Sequence, residues 1–337
     1  MNKELLELLL SITSVSGNEF KIQDALSEHM AEYVDKIEKD SIGDGVYTLE
    51  GTGKSRILMT AHCDEIGLLV SSVTSDGYLK VTSAGGFNAR LYPGHGVKIA
   101  TAGGTVYGSV GYTSENLKKT DFADYNLLVD IGASTKEEAL SLVELGDPVV
   151  FDSTPRYLFN DRVKARGLDD KSGVFTLMET LKRLKKKEHK ATVSMAATVG
   201  EEMCLHGAGW AAKRTDPTEA IIVDVTYTSD YDGMRDAKWG EIELGKGPAL
   251  CINPICDKRM NQKLMKLARE LDIPFQTEVS GGRTCTDADR IHMENLGIPV
   301  ALVSIPLRYM HSPAEIADFK DIENAIRLLE AYVESAE

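Results

Sequence analysis

The chain has 337 residues, of which 42% are hydrophobic and 27% are charged, and its formal net charge is −14. This length allows one large domain or two domains with ample core, and the composition is typical of a globular protein. The negative charge argues against nucleic acid or an anionic membrane as a partner. The five cysteines show no CxxC spacing, so we expect reduced thiols, not disulfides or a thiolate zinc site.

The N-terminal segment predicts an amphipathic helix with Leu5, Leu8 and Leu9 on its apolar face. Its short apolar stretch is interrupted by Glu4 and Glu7, which does not suit a signal peptide. Nowhere does an apolar run approach the roughly 18–20 residues that a membrane span needs. We therefore expect a cytoplasmic protein.

Two kinds of sequence pattern divide the chain. Residues 1–70 and 165–337 alternate helical periodicity with short apolar strands, as in "SRILMTAHC", "ATVSMAATV" and "EAIIVDV", which predicts an α/β catalytic domain. Residues 71–164 are rich in Gly and Val, with strand-and-turn patterns and a single short helix near "TKEEALSLVEL". We interpret this second segment as a small β-rich domain inserted into the first.

Acidic and imidazole side chains follow the predicted strands of the α/β domain. In open α/β sheets, ligands bind beyond the carboxyl ends of the strands, so side chains at these ends converge on one edge. Such a concentration of carboxylates would be electrostatically intolerable without cations. The residues are His62 after "RILMTA", Glu201 and Glu202 after "ATVSMAATVG", Asp224 in "AIIVDV", His311 after "VALVSIPLRYM", and Asp169 and Asp170 at a helix start.

Each of these residues also has an ordinary structural interpretation. His62 could be a partly buried histidine, Asp169 and Asp170 could cap the following helix, and the glutamate pair could lie in a solvated loop. Taken together, two imidazoles and several carboxylates without thiolates suit zinc, cobalt or manganese. Two such ions would use one glutamate of the pair as a ligand and leave its neighbour free to handle a proton.

Five motifs resemble those of the M42 family of metallo-aminopeptidases, in the same order along nearly the whole chain. They are "AHCDEIG" (61–67), "GLDDKSG" (167–173), "VGEEMCLHGA" (199–208), "VDVT" (223–226) and "IPLRYMHSPAE" (305–315). The resemblance implies an α/β/α sandwich like that of dinuclear zinc peptidases. It also implies that the inserted β-rich segment is a barrel-like or PDZ-like dimerisation domain.

The resemblance further implies a role for each site residue. Asp169 would bridge two divalent ions, Zn²⁺ or Co²⁺, with Mn²⁺ as a further candidate. Glu202 and His311 would complete one metal site, and His62 and Asp224 the other. Glu201 would be the general base, Asp64 would hold the His62 imidazole in its metal-binding orientation, and Asp170 would support the bridge, where the family has a cis peptide between the two acidic residues.

The activity that the resemblance implies is hydrolysis of N-terminal residues from short peptides with a free N-terminus. A metal-bound hydroxide would attack the peptide carbonyl, and Glu201 would pass its proton to the leaving amine. The family analogy also implies a homo-oligomer, in which dimers assemble into a tetrahedral dodecamer. Alternatives are a related deacylase or carboxypeptidase, an endoglucanase, or a noncatalytic assembly protein on the same fold.

Several residues depart from the family pattern or have more than one possible role. Lys171 stands where the family usually has Arg, and "SGGRTCTDADRIH" (280–292) is longer than usual, which leaves substrate preference open. We expect His95 to be a surface or interface residue. His206 and His292 are candidate substrate contacts, and Cys63 and Cys204 are candidate soft ligands.

Overall fold

The computed structural model describes residues 1–234 and 240–336. Ten α-helices lie within these ranges: α1 Lys3–Ser11, α2 Phe20–Met30, α3 Ser114–Leu117, α4 Lys136–Leu140, α5 Leu168–Leu184, α6 Glu201–Cys204, α7 His206–Thr215, α8 Lys258–Glu270, α9 Ala288–Ile291 and α10 Phe319–Glu334. The same ranges contain seventeen strands: β1 Lys36–Lys39, β2 Gly45–Leu49, β3 Arg56–His62, β4 Gly67–Val73, β5 Leu79–Ala84, β6 Gly96–Thr101, β7 Gly104–Val110, β8 Leu128–Asp130, β9 Pro148–Phe151, β10 Arg156–Leu158, β11 Arg162–Ala165, β12 Thr192–Thr198, β13 Glu219–Tyr227, β14 Ala249–Ile252, β15 Gln276–Val279, β16 Val300–Leu307 and β17 Glu315–Asp318.

Helix α1 forms where the leucine pattern predicts it, but with a different buried face. The Asn2 side chain caps the helix by accepting a hydrogen bond from the Leu5 amide. The predicted apolar residue Leu8 is exposed, because at 100° per residue it lies on the opposite side from the buried stripe. That stripe consists of Leu5, Leu6, Leu9 and Leu10.

An eight-stranded mixed sheet forms the centre of the molecule, in the order β1-β2-β12-β3-β13-β16-β14-β15. The four central strands, β12, β3, β13 and β16, are parallel. Their carboxyl ends therefore meet at one edge of the sheet, where the predicted site residues follow them.

Helices cover both faces of this sheet. Side chains alternate along β3, so Ile57 and Met59 pack on one face with residues of α1, α2, α5, α8 and α10. Leu58, between them, packs on the other face with α7 and α9. The predicted α/β/α sandwich is confirmed. No helix in the described ranges is long and apolar enough to span a membrane.

The β-rich insert closes into a six-stranded barrel, in the order β4-β5-β8-β7-β6-β9. The single predicted helix of the insert is α4, and the prediction missed a second one, α3, which the Thr113 side chain caps. Barrel strands run from Gly67 to Phe151, and the boundaries at residues 70 and 165 stay a prediction. Because β4 begins five residues after His62, the barrel lies beside the strand ends.

A small three-stranded sheet, β10-β11-β17, returns the chain from the barrel to the catalytic layer. Ala165 at the end of β11 pairs with Glu315 in β17. This pairing places Glu315 beside the segment that begins α5 and carries Asp169.

Candidate metal centre and active site

The carboxyl edge of the central sheet assembles the predicted ligands from five separate elements. His62 is the last residue of β3, and Asp224 lies near the end of β13. Glu202 lies in the first turn of α6, directly after β12, and His311 follows β16. Asp169 lies at the start of α5, where its peptide bond to the next residue, Asp170, is cis. Residues far apart in sequence therefore meet because parallel strands end at the same edge.

Asp169 lies between the two histidines and presents one oxygen to each. Its Oδ1 is 3.1 Å from the His62 Nε2, and its Oδ2 is 3.1 Å from the His311 Nε2. The His311 Nε2 is also 3.4 Å from the Glu202 Oε1. A carboxylate with each oxygen facing a different imidazole has the geometry to serve two cations.

Two groups of three side chains bring their potential ligand atoms within 4.8 Å of one another. One group is His62, Asp169 and Glu202, and the other is His62, Asp170 and Asp224. Asp170, expected only to support the bridge, therefore has the position of a possible ligand. Its Oδ1 accepts a hydrogen bond from the Gly173 amide at 3.0 Å, whereas its buried Oδ2 has no partner among the described residues.

The contacts of Asp169 with the two histidines shift the pKa values of these groups. Burial alone would lower the pKa of His311, but its hydrogen bonds to Asp169 and Glu202 outweigh burial and raise the pKa to about 11. Burial would likewise raise the pKa of Asp169, yet the hydrogen bonds from His311 and His62 hold it below its usual range. The imidazoles thus offset part of the negative charge of the carboxylates around them.

Ionisation of the remaining carboxylates of the site is energetically unfavourable. Burial raises the pKa of Asp224 well above its usual range. Burial and repulsion by Asp224 also raise the pKa of Glu201 to about 10. Buried oxygen and imidazole groups with this excess of negative charge fit divalent cations of the zinc, cobalt and manganese type. The residues present therefore fit the metal centre predicted from the sequence.

Glu201 stands apart from the closest ligand contacts. Its Oε2 is 3.9 Å from the His62 Nε2, and its carboxylate faces the same cavity as the ligands. The Asp64 carboxylate accepts hydrogen bonds from the amides of Glu201 and Glu202, at 3.1 and 3.3 Å. Asp64 also lies beside the His62 ring, with its backbone oxygen 3.1 Å and its Oδ1 3.5 Å from the Nδ1. It therefore contacts the imidazole and fixes the start of α6.

Glu315 is a site residue to which we assigned no role from the sequence. Its buried carboxylate accepts hydrogen bonds from the amides of Leu168 at 2.7 Å, His311 at 2.9 Å and Asp169 at 3.4 Å. The Glu315 side chain thus fixes the backbone at both Asp169 and His311. The signal was present, because Glu315 ends the quoted "IPLRYMHSPAE" motif, but its role depends on backbone contacts that a motif does not reveal.

The other candidate histidines lie away from the ligand cluster. The exposed His95 ring packs edge-on against Phe151 in the barrel, at 5.5 Å between centroids. His206 contacts Cys204, with 2.9 Å from its Nδ1 to the Sγ, and neither His206 nor His292 lines the cavity. The fully buried thiol of Cys63 accepts a hydrogen bond from the Gln23 side chain.

A cavity of about 580 Å³ opens over the site. Its floor carries the metal-ligand candidates and Glu201, and its wall includes residues of β14, β15 and the segment 280–286. Cys204 lies at its rim, although neither ligand group found in the described ranges contains a cysteine. This volume accommodates a small molecule or the end of a peptide.

Comparison with known proteins agrees with the motifs. The family model of M42 glutamyl aminopeptidase matches residues 43–328. The lysyl aminopeptidase of Pyrococcus furiosus is 32% identical to this chain, over 98% of the chain and 96% of that protein.

Two solved structures share the fold over almost their whole length. An aminopeptidase of the archaeon Desulfurococcus kamchatkensis superposes with a TM-score of 0.93 at 34% identity, covering 99% of this chain and 94% of that one. The TET1 peptidase of Pyrococcus horikoshii, which can assemble into a tetrahedron or a large octahedral shell, superposes with a TM-score of 0.87 at 32% identity, covering 99% of each chain. The chain therefore belongs to the M42 family of metal-dependent peptide hydrolases.

Proposed function

We propose that the chain is an aminopeptidase that removes N-terminal residues from short peptides at a dinuclear metal centre. The observation that supports this most directly is the placement of Asp169 between His62 and His311, with Glu201 left over beside them. A single metal site would not need a carboxylate shared by two imidazoles. A site without proton transfer would not need the additional glutamate.

In this proposal Asp169 would be shared by both ions. Glu202 and His311 would hold one ion, and His62 and Asp224 the other, which Asp170 is also placed to contact. Zn²⁺ and Co²⁺ are the expected ions, with Mn²⁺ as a further candidate. When bound, the ions polarise the peptide carbonyl and lower the pKa of water near them.

Glu201 moves the proton. Its carboxylate takes a proton from the attacking water and delivers it to the nitrogen of the leaving amine as the peptide bond breaks. The high pKa of Glu201 favours holding the proton between these two steps. Nearby cations would lower this pKa toward the range in which the group can also act as a base.

Asp64 and Glu315 position the reacting groups without contacting substrate. Asp64 holds the amides of Glu201 and Glu202, and it fixes the His62 ring from the side away from the ligand nitrogen. Glu315 holds the backbone of Asp169 and His311. Loss of either carboxylate would loosen ligands on two elements at once.

We also propose a homo-oligomer, with residues 1–70 and 165–337 as the catalytic domain and residues 71–164 as the dimerisation domain. The barrel and its turns expose several large apolar side chains: Tyr107, Tyr112, Tyr125, Leu142 and Leu145. We propose that dimers assemble into a tetrahedral dodecamer, and the tetrahedron formed by the Pyrococcus horikoshii peptidase supports this proposal. Sedimentation of the fully active protein as a 36.8 kDa monomer would contradict this assembly as a requirement.

A matched pair of peptides tests the activity. One has a free N-terminus and the other is N-acetylated, and each is incubated with Zn²⁺ or Co²⁺, after chelation, and after metal is restored. We expect free amino acid from the first peptide alone, lost on chelation and recovered with metal. Cleavage of the acetylated peptide would indicate a deacylase or endopeptidase instead. Absence of cleavage with metal bound would favour a noncatalytic protein.

The variant Glu201→Gln tests the assignment of the base. It should retain both metal ions, measured by elemental analysis, and should lower kcat by at least about 100-fold. A variant with two bound ions and near wild-type kcat would exclude Glu201 as the base.

A further inference from the structure

The wall of the cavity carries two charged side chains besides the metal-ligand candidates and Glu201. Among the described residues they are Glu278, on the edge strand β15, and Arg283, in the segment after it. A peptide with its N-terminal residue at the metal centre would place that residue's side chain against this wall. The charge of the wall therefore bears on which N-terminal residues are accepted.

The charge of Arg283 is already matched within the protein. Its Nε donates to the Asp289 Oδ2 at 3.0 Å, and its side chain is largely exposed, at 72%. Asp289 in turn accepts hydrogen bonds from the amides of Thr284 and Cys285, which fix it in place. Because solvent and Asp289 both screen the guanidinium, it contributes little field inside the cavity.

Glu278 differs from Arg283 in both its exposure and its ion pairing. Its side chain is half-buried and lines the cavity, yet no Lys, Arg or His of the described chain lies within ion-pair distance of it. Burial raises the pKa of this carboxyl, although a hydrogen bond from the Thr226 hydroxyl opposes the shift. A carboxylate held in such a place without a cation would gain from a cation supplied by a ligand.

Glu278 lies on the wall of the same cavity as the metal centre. Asp224 and Thr226 are two residues apart on β13, so their side chains project from the same face of the strand and both line the cavity. Glu278 and the candidate ligand Asp224 thus line the same cavity. The neighbouring wall residues Cys251 and Ser280 are small and uncharged, which leaves space in front of the carboxylate.

We propose that Glu278 is a specificity-determining residue that selects peptides with Lys or Arg at the N-terminus. This inference rests on the proposed aminopeptidase function. The ammonium or guanidinium group of the substrate would pair with the Glu278 carboxylate in a half-buried setting, where such pairs contribute to discrimination. An acidic N-terminal side chain would meet the same carboxylate and be rejected.

Three substrates test the proposal: tripeptides X-Ala-Ala in which X is Lys, norleucine or Glu. Norleucine has the hydrocarbon chain of Lys without the ammonium group, so the ratio of the two kcat/KM values isolates the charge. We expect wild-type protein to favour Lys over norleucine by at least about tenfold and to cleave the Glu peptide most slowly. In Glu278→Gln, the kcat/KM values for the Lys and norleucine peptides should lie within about threefold of each other. This change should come from a lower kcat/KM for the Lys peptide, with that for the norleucine peptide at the wild-type value.

Two further variants sharpen the result. Glu278→Lys should invert the order, so that the Glu peptide becomes better than the Lys peptide. The control Glu270→Gln removes one negative charge from an exposed position at the end of α8, and the Lys preference should survive it.

Each opposing outcome has a separate meaning. A wild-type protein that cleaves norleucine and Lys peptides equally well would overturn the role of Glu278 and leave the aminopeptidase function standing. Equal losses on all three substrates in Glu278→Gln would show that the carboxylate binds the α-amino group, which also overturns selection by side chain. Absence of cleavage of every peptide, with metal shown to be bound, would refute the proposed function itself.

Discussion

Two ionic clusters lie near Gly167, and they balance their charges differently. The first, which we name the Glu65 cluster, consists of Glu65, Arg166 and Lys171. Arg166 donates to the Glu65 carboxylate, and the Lys171 Nζ donates to its Oε1 at 2.9 Å. The second is the candidate metal centre, in which several carboxylates face two imidazoles. Only the Glu65 cluster contains arginine and lysine side chains, which are positively charged at neutral pH.

The packing between the two clusters is close. Gly167 has a φ of +64°, and a Cβ at this position would lie 2.8 Å from the Glu65 Oε2. The positive φ strains any residue with a side chain, and a Cβ here would also press on the Glu65 carboxylate, so the position favours glycine. The clusters are thus neighbours that differ in composition, and only the Glu65 cluster is almost fully buried, since the candidate metal centre opens to the cavity.

The pKa values reflect this difference. Burial would raise the pKa of Glu65, yet Arg166 and Lys171 hold it at about 2. Burial of Asp224 and Glu201 raises their pKa values because no permanent cation is beside them. A cluster that neutralises itself has a structural role, whereas one that does not is suited to bind ions from solution. Four predictions test this contrast, from the largest expected effect to the smallest.

The largest effect should follow Asp169→Asn, which removes the charge shared by His62 and His311. We expect the loss of at least one of two bound ions per chain and a fall in kcat/KM of at least about 1,000-fold. Elemental analysis and peptide hydrolysis measure the two quantities. Retention of two ions with more than a tenth of the activity would contradict the shared-ligand geometry.

Glu65→Gln should act on stability instead. The substitution leaves Arg166 and Lys171 buried without a counter-ion, which should lower the free energy of unfolding by about 3–5 kcal/mol. The matched control is Glu323→Gln, because Glu323 pairs with Arg183 at the surface, where about a third of each side chain is exposed. There we expect a loss below about 1 kcal/mol. The free energies of unfolding are measured by urea denaturation. Equal losses in the two variants would show that burial of the Glu65 cluster does not determine its contribution to stability.

Acid should remove the contribution of Glu65 gradually. Its folded pKa, about 2, lies below the unfolded value of 4.5, so its stabilisation is present above pH 4.5 and is lost as the pH falls toward 2. The full contribution is about 3 kcal/mol. In metal-free protein, the difference in unfolding free energy between wild type and Glu65→Gln should therefore narrow from pH 5 to pH 3. A difference that stays constant over this interval would assign the effect of Glu65 to packing alone.

The sequence predicted which histidines and carboxylates follow the strand ends, and the fold brings them together at one edge of the sheet. It also predicted the sandwich and the β-rich insert, since their periodicities differ. The partners that fix the ligands were not predictable in the same way. Glu65 follows directly after Asp64 in "AHCDEIG", yet Glu65 pairs with Arg166 and Lys171 whereas Asp64 contacts His62, and the motif alone does not distinguish the two carboxylates.

The smallest of the four effects should come from Glu315→Gln, which leaves every candidate metal ligand in place. Both oxygens of Glu315 accept backbone hydrogen bonds, from Leu168 and His311 among others, so an amide nitrogen at either position would face a donor. The ligands would remain present but less well held, and metal affinity should fall by about 10–100-fold.

The control for loss of a buried carboxylate is Asp321→Asn, because Asp321 neither lines the cavity nor belongs to either ligand group. Asp321 likewise accepts hydrogen bonds from two backbone amides, those of Gly245 and Gly247, both at 2.7 Å. Both variants should unfold more easily, but only Glu315→Gln should bind Zn²⁺ or Co²⁺ more weakly in a competition titration with a chelator. Equal metal affinity in the two variants would reduce Glu315 to a structural residue. A selective loss would mean that the metal centre depends on backbone held by a side chain that never contacts the ions.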